Sequence, residues 1–116
     1  KVDCYAGQLN QVFINLLSNA IDALEESETV SLPTIVIRTT ELDRAIQITM
    51  TDNGMGITEA VRSHIFDPFF TTKPVGKGTG LGLYVSYQTI IEKHNGKFWC
   101  DSTLGQGTTF FIEIPV

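Results

Sequence analysis

Between residues 8 and 24 the apolar side chains Leu9, Val12, Phe13, Leu16, Leu17, Ala20 and Leu24 return at steps of three and four. That spacing puts them on one stripe and predicts an amphipathic helix packed on a core. The period then changes. Residues 27–33 are polar and turn-like, whereas 34–40 and 45–51 alternate in the manner of strands and are rich in Ile, Val and Thr. The short Leu42-Asp43-Arg44 link predicts an antiparallel hairpin. Thr58 is placed to cap a short helix through Ile65, with Glu59 in its favourable first turn, and Pro68 ends regular structure.

Residues 66–79 mix Pro, Gly, Lys and Thr and read as one long loop. Loops beyond ~12 residues in a compact domain usually carry function, so a mobile lid is expected. Helical spacing resumes over 81–93 through Leu83, Tyr87, Ile90 and Ile91, and Asn95-Gly96 stops it with a left-handed cap. Residues 98–102 and 108–114 close the chain as two strands joined through Gly105 and Gly107. The order is helix, two strands, helix, lid, helix, two strands. It predicts an α+β two-layer sandwich: a mixed, mostly antiparallel sheet with helices on one face.

A length of 116 residues with 42% hydrophobic content suits a single domain, 1–116. A net charge of −5 argues against a broad basic surface for nucleic acid. No apolar run approaches the ~20 residues of a membrane helix. Cys4 and Cys100 lack zinc-ligand spacing and read as free thiols, with one disulfide left open. A helix that starts almost at once, without an initiating Met, suggests a segment of a longer chain.

Four segments carry candidate chemistry. On the first helix Gln11, Asn15 and Asn19 sit one turn apart with Asp22 close by, on a face expected opposite the apolar stripe. That face is either simply solvated or offers side-chain oxygens to a hard cation such as magnesium, which shares its shell with waters and phosphates. Asp52 ends a strand and runs into Asn53-Gly54-Met55-Gly56. It makes either a common turn or a carboxylate that accepts from the amine of a base while glycines let a flat ring approach. Gly76 to Leu83 leads glycines into a helix N-terminus, where free backbone N–H groups bind phosphate. It lacks the preceding strand of a dinucleotide fingerprint and the Gly-Lys-Ser/Thr of a P-loop. Lys73 and Lys77 would reach phosphate oxygens as point charges. Phe66, Phe69 and Phe70 are expected to tether the loop to the core without touching ligand. His64 and His94 show no acid–base or nucleophile pattern and read as helix-end residues.

In order along the chain, Asn15-Leu16-Leu17-Ser18-Asn19-Ala20 resembles the N box of sensor histidine kinases and Asp52-Asn53-Gly54-Met55-Gly56 the G1 box. Phe66-Asp67-Pro68-Phe69-Phe70-Thr71-Thr72-Lys73 resembles the F box, and Gly78-Thr79-Gly80-Leu81-Gly82-Leu83 the G2 box. Gly105-Gln106-Gly107-Thr108-Thr109-Phe110 looks like the last glycine box. The resemblance covers nearly the whole chain and implies the Bergerat ATP-binding fold, shared with gyrase, a heat-shock chaperone and mismatch-repair ATPases. It implies that Asn19 is the magnesium ligand and that Asp52 binds the adenine amine. Gly54, Gly56 and Ile57 would shape the adenine wall, and Thr108 would meet the base directly or through water. Gly80, Leu81 and Gly82 would offer N–H groups to the phosphates, with Gly78, Thr79 and Leu83 in the same segment. Lys73 and Lys77 would close over them from the lid that Thr71 and Thr72 begin. Asn15, Asn19 and Lys73 would carry catalysis, and Asn15 and Asp22 would also line the nucleotide site.

Two residues depart from the relatives. Hydrolysing members have a glutamate where this chain has Asn15, and an amide is no general base, which favours phosphotransfer over self-sufficient hydrolysis. Asp22 stands where many histidine kinases carry a basic residue. The resemblance implies transfer of the ATP γ-phosphoryl group to a histidine on an upstream dimerisation domain, within a homodimer, and onward to a response-regulator receiver domain. This domain would be cytoplasmic, with no membrane contact of its own. Two other readings stay open: a module whose ATP state gates binding without transfer, and a serine kinase of the anti-sigma type on the same fold.

Overall fold

Alternation along the later strands sets one apolar face of the sheet against the helices. The computed structural model describes residues 4–27, 32–71 and 81–116. Helix α1 (Ala6–Glu26) precedes the hairpin of β1 (Ile35–Leu42) and β2 (Ala45–Asp52), which turns through Asp43-Arg44 with Arg44 at φ 65°. One turn of helix, α2 (Glu59–Arg62), follows, then α3 (Gly82–Gln88), a π-helical turn (Thr89–Lys93), β3 (Lys97–Thr103) and β4 (Gly107–Pro115). The strand order is β1-β2-β4-β3, and every pairing among the described residues is antiparallel.

Register explains the layering. Met50, Phe110 and Cys100 lie in one cross-strand row and Ile48, Ile112 and Phe98 in the next, all on the face that α1, α2 and the π-helical turn cover. Against these rows α1 presents its stripe, with Leu9, Val12, Leu16 and Ala20 buried. Ile90, fully buried, packs with Leu9, Val12 and Leu16 in one cluster. The opposite face is more polar, although it carries Val36, Leu42 and Ala45 at the β1 side and Trp99 and Phe111, whose rings stack in parallel at 5.1 Å. There Thr51 and Thr109 share a hydrogen bond of 2.9 Å, and Gln47 donates to Glu113. The helices leave β1 largely exposed at the sheet edge.

Several expectations change in detail. The helix capped by Thr58, whose Oγ1 accepts from Val61 N–H, ends at Arg62 rather than Ile65. The helix expected over 81–93 splits into α3 and the π-helical turn. Asn95 adopts the left-handed conformation (φ 53°), and Gly96 N–H reaches Ile90 O at 2.9 Å. That closure spans one residue more than a Schellman cap and absorbs the extra residue of the wide turn. Gly96 is there for space: a Cβ would lie 2.2 Å from Glu113 O. His94 is the cap residue, donating from Nδ1 to Thr89 O (2.9 Å) and accepting at Nε2 from Tyr5 N–H (3.0 Å). It thereby pins the start of α1 to the end of the π-helical turn.

Of the three phenylalanines expected as anchors, Phe66 meets Tyr87 and Phe98 at 4.9 and 4.8 Å, and Phe70 stacks on His64. Phe69 does not anchor: it is 72% exposed, with φ 67°. Pro68 and the turn around Asp67 send its neighbours inward and leave it outward. The expected lid falls mostly on 72–80, outside the described residues.

Two tests probe this packing. Gly107 has φ 125° and a Cβ there would meet Asp52 O at 2.0 Å, whereas at Gly105 (φ 82°) a Cβ meets open space. Gly105→Ala should cost about 1 kcal/mol and Gly107→Ala more than about 3 kcal/mol, read by denaturant unfolding. Cys4 is exposed and Cys100 buried, neither in a disulfide, and burial pushes the Cys100 thiol up to about 11. Folded protein at pH 8 should take one equivalent of a maleimide, at Cys4, and a second only on unfolding, with labelling sites read by mass spectrometry.

Candidate functional site

Where β2 ends and β4 begins, the sheet stops and α1 continues past it, leaving a cavity of about 590 Å³. Its floor is made by Asp52 and Thr108, which lie opposite one another in the register. Asn15, Asn19 and Asp22 line it from α1. Gly56 and Ile57 line it from the turn after β2, Thr71, Gly82 and Leu83 from the side of α3.

Asp52 is 5% exposed. Burial raises its pKa above the ordinary carboxylate value, and the backbone N–H groups of Gly54 and Thr108 partly offset that. Gly54 N–H donates to Asp52 Oδ1 at 2.9 Å, close under Ala23 O of α1. Gly56 is held at φ 73°, where a Cβ would sit 2.4 Å from Thr103 O. Asn53 turns the other way, bonding Thr34 N and Leu32 O at 2.8 and 2.9 Å, and so ties the β1 entry to the turn. Within Asp52-Asn53-Gly54-Met55-Gly56, then, the carboxylate is turned to the cavity and the amide to the frame.

The two asparagines of α1 part company. Asn15 Nδ2 donates to Gly82 O at 3.3 Å and to Ser86 Oγ at 3.1 Å, while its Oδ1 accepts from Gln11. It clamps α1 to α3. Asn19 lines the cavity with its side chain in no hydrogen bond among the described residues. Neither lies opposite the apolar stripe, as the spacing suggested. Three residues of helix turn through ~300°, so Asn15 sits only about 60° from buried Val12 and faces the groove between two helices. Among the described residues no cluster of three His, Cys, Asp or Glu side chains could hold a metal alone. A hard cation fits only if amide oxygens share its shell with oxygens of a ligand.

Of the other sequence-derived candidates, Gly54 and Leu81 flank the cavity without lining it; Leu81 precedes the first residue of α3 and its carbonyl accepts from Val85 N–H. Thr72, Lys73, Lys77, Gly78, Thr79 and Gly80 lie outside the described residues. Ten lining residues escaped the sequence reading, four of them at the rim or with aromatic surface. Met55 and Leu104 are exposed apolar side chains at the rim, and Phe70 and Phe110 add aromatic surface. The only signal for Met55 and Leu104 was an apolar residue inside a glycine turn. Phe70 was expected to stay clear of ligand, whereas it stands in the cavity wall.

Residues 5–116 match the family described as histidine kinase-, DNA gyrase B-, and HSP90-like ATPase. The chain is 42% identical over 113 residues to sporulation kinase E of Bacillus subtilis, covering 97% of this chain and 14% of that protein. It is 44% identical over 116 residues to the sensor histidine kinase ZraS of Salmonella typhimurium, covering 100% of this chain and 23% of that one. It thus spans less than a quarter of the length of either relative. Among solved structures it is similar to a nucleotide-free catalytic domain of histidine kinase ThkA, with TM-score 0.82 and 35% identity over 98% of this chain and 70% of that one. It is also similar to full-length ShkA in complex with AMPPNP, with TM-score 0.78 and 26% identity over 94% of this chain and 21% of that one.

The division between the asparagines is testable by stability alone. Asn15→Ala removes a donor from Gly82 O and from Ser86, which is 1% exposed, and should cost about 1–3 kcal/mol in denaturant unfolding. Asn19→Ala should stay within about 0.5 kcal/mol of wild type.

Proposed function

This chain belongs to the histidine kinase-, DNA gyrase B-, and HSP90-like ATPase family, as an ATP-binding catalytic domain of the sensor histidine kinase type, and from that premise we propose that the cavity holds ATP with magnesium and delivers its γ-phosphoryl group to a histidine of a dimerisation domain elsewhere in the full-length protein. The observation that carries the site assignment is the buried Asp52 carboxylate beside Thr108 on the cavity floor, with the Asn19 amide on the facing helix. A buried carboxylate is stabilised by donors, and the exocyclic amine of adenine supplies one. Ile57 and Met55 are placed to cover the ring faces. Full-length ShkA, to which this chain is similar, was solved in complex with AMPPNP, which supports a nucleotide-binding reading.

Asn19 would hold magnesium through its amide oxygen, together with oxygens of the nucleotide and water. Magnesium would neutralise charge on the β- and γ-phosphates. The domain's own work is to bind and orient. Asp52 and Thr108 would fix the base, the start of α3 with Leu81, Gly82 and Leu83 would meet the phosphates, and Lys73 and Lys77 would supply positive charge to them. Transfer breaks the bond between the γ-phosphorus and the bridging oxygen and forms one to the acceptor imidazole nitrogen, with ADP leaving. Asn15, an amide engaged with Gly82 and Ser86, offers no base to activate water, which supports transfer over hydrolysis. The acceptor domain, its pairing as a homodimer, a response-regulator receiver domain downstream and a cytoplasmic setting complete the proposal. Among the described residues no helix is long and apolar enough to cross a membrane.

Titration calorimetry tests the base assignment. Asp52→Ala should weaken ATP by about 10- to 150-fold, the equivalent of roughly 1.5–3 kcal/mol. Unchanged affinity in a folded variant would remove the adenine assignment. Acidification should weaken ATP binding to the wild type, because protonation removes an acceptor, and the loss should set in above the ordinary carboxylate value of 3.8. Asp52→Ala should lack that limb and keep the titrations of the nucleotide itself, at adenine and at the terminal phosphate. For the metal, Asn19→Ala should lose magnesium-dependent transfer to an added dimerisation domain, while metal-free nucleotide binding survives. Transfer at the wild-type rate would exclude Asn19 as a ligand.

A further inference from the structure

Behind the cavity floor stands a residue that does not line it. Ser102, half-buried on β3, accepts a hydrogen bond from Ile57 N–H at 2.8 Å and donates to Gly107 O at 2.9 Å. Its Oγ also lies 2.9 Å from Thr108 Oγ1. A serine hydroxyl has one proton and two lone pairs. The Gly107 carbonyl can only accept, so the Ser102 proton goes there, and Ile57 N–H occupies one lone pair. The contact with Thr108 therefore falls on the second lone pair, and its proton comes from Thr108. That turns the Thr108 hydroxyl proton away from the cavity. Toward the cavity Thr108 then presents lone pairs, beside a carboxylate that presents lone pairs as well.

We propose that Ser102 is a positioning residue for base selection: by holding Thr108 as an acceptor, it makes the floor favour a purine with a six-amino group over one with a six-oxo group. The proposal deepens the nucleotide reading above and rests on it. A six-amino group brings two N–H donors to this floor. A six-oxo group sets lone pairs against lone pairs and leaves buried polar atoms unpaired, which costs more than a made bond gains. Once Ser102 loses its hydroxyl, the Thr108 proton is free to swing into the cavity and serve a six-oxo group.

ATP and ITP differ at the base only in the six position and its neighbouring ring nitrogen, so their affinity ratio, by calorimetry with magnesium, is the readout. Wild type should prefer ATP. In Ser102→Ala the ATP-to-ITP ratio should fall about five- to tenfold, through weaker ATP and equal or tighter ITP. Ser102→Cys, whose thiol is a weak donor and acceptor, should fall between the two and replaces the alanine variant as the readout if that one does not fold. An equal loss for both nucleotides, the mark of a merely structural residue, overturns the proposal, as does an unchanged ratio. A wild type that binds ATP and ITP alike overturns it while leaving the nucleotide site standing; a wild type that binds neither removes the site assignment itself.

Discussion

A carboxylate buried where a sheet ends is the constraint around which this domain is organised. Asp52 leaves water with its charge incompletely compensated, as its raised pKa records. The turn that follows must bring a backbone N–H to it, and Gly54 does so in the narrow space under α1. The facing strand must also start close against Asp52, which only a glycine at 107 allows. The turn after β2 and the start of β4 both follow from keeping one acidic group dry and one side of it open.

The clamp between α1 and α3 is the second determinant. Without Asn15, two helices whose apolar faces point to the sheet would meet each other only at a polar groove. The amide bonds one helix to the first turn of the other, so the cavity wall and the helix start beside it move as a unit. The same residue type one turn later does something different because its surroundings differ. Asn19 has the cavity beside it where Asn15 has Gly82 and Ser86.

How far the sequence was legible depended on whether a feature lives in local periodicity or in long-range registration. The apolar stripe of α1, the alternation of β2 to β4, the hairpin and the capping Thr58 are local signals, and each stands where the spacing put it. The segments carrying Asn19, Asp52, Gly82 and Thr108 were readable as chemistry, and the fold brings them to one cavity. Ser102 was not readable, because a serine in a strand acquires meaning only once β4 lies beside it and Ile57 folds over it. Phe69 misled because three aromatics around a proline look alike in sequence, while the left-handed turn at that residue decides which one faces solvent. The split of the last helix into α3 and a π-helical turn hides for the same reason: one extra residue leaves apolar spacing nearly unchanged.

The Trp99–Phe111 stack lies on the face of the sheet away from the helices. Trp99 is the one tryptophan of the chain, so intrinsic indole emission is an almost pure gauge of sheet integrity. Its ring and the cavity are on opposite sides of the strands, and occupancy of one reaches the other only through backbone displacement. Fluorescence melts of this domain therefore follow the opening of β3 from β4, and a nucleotide seen by that signal is seen through stabilisation rather than through contact.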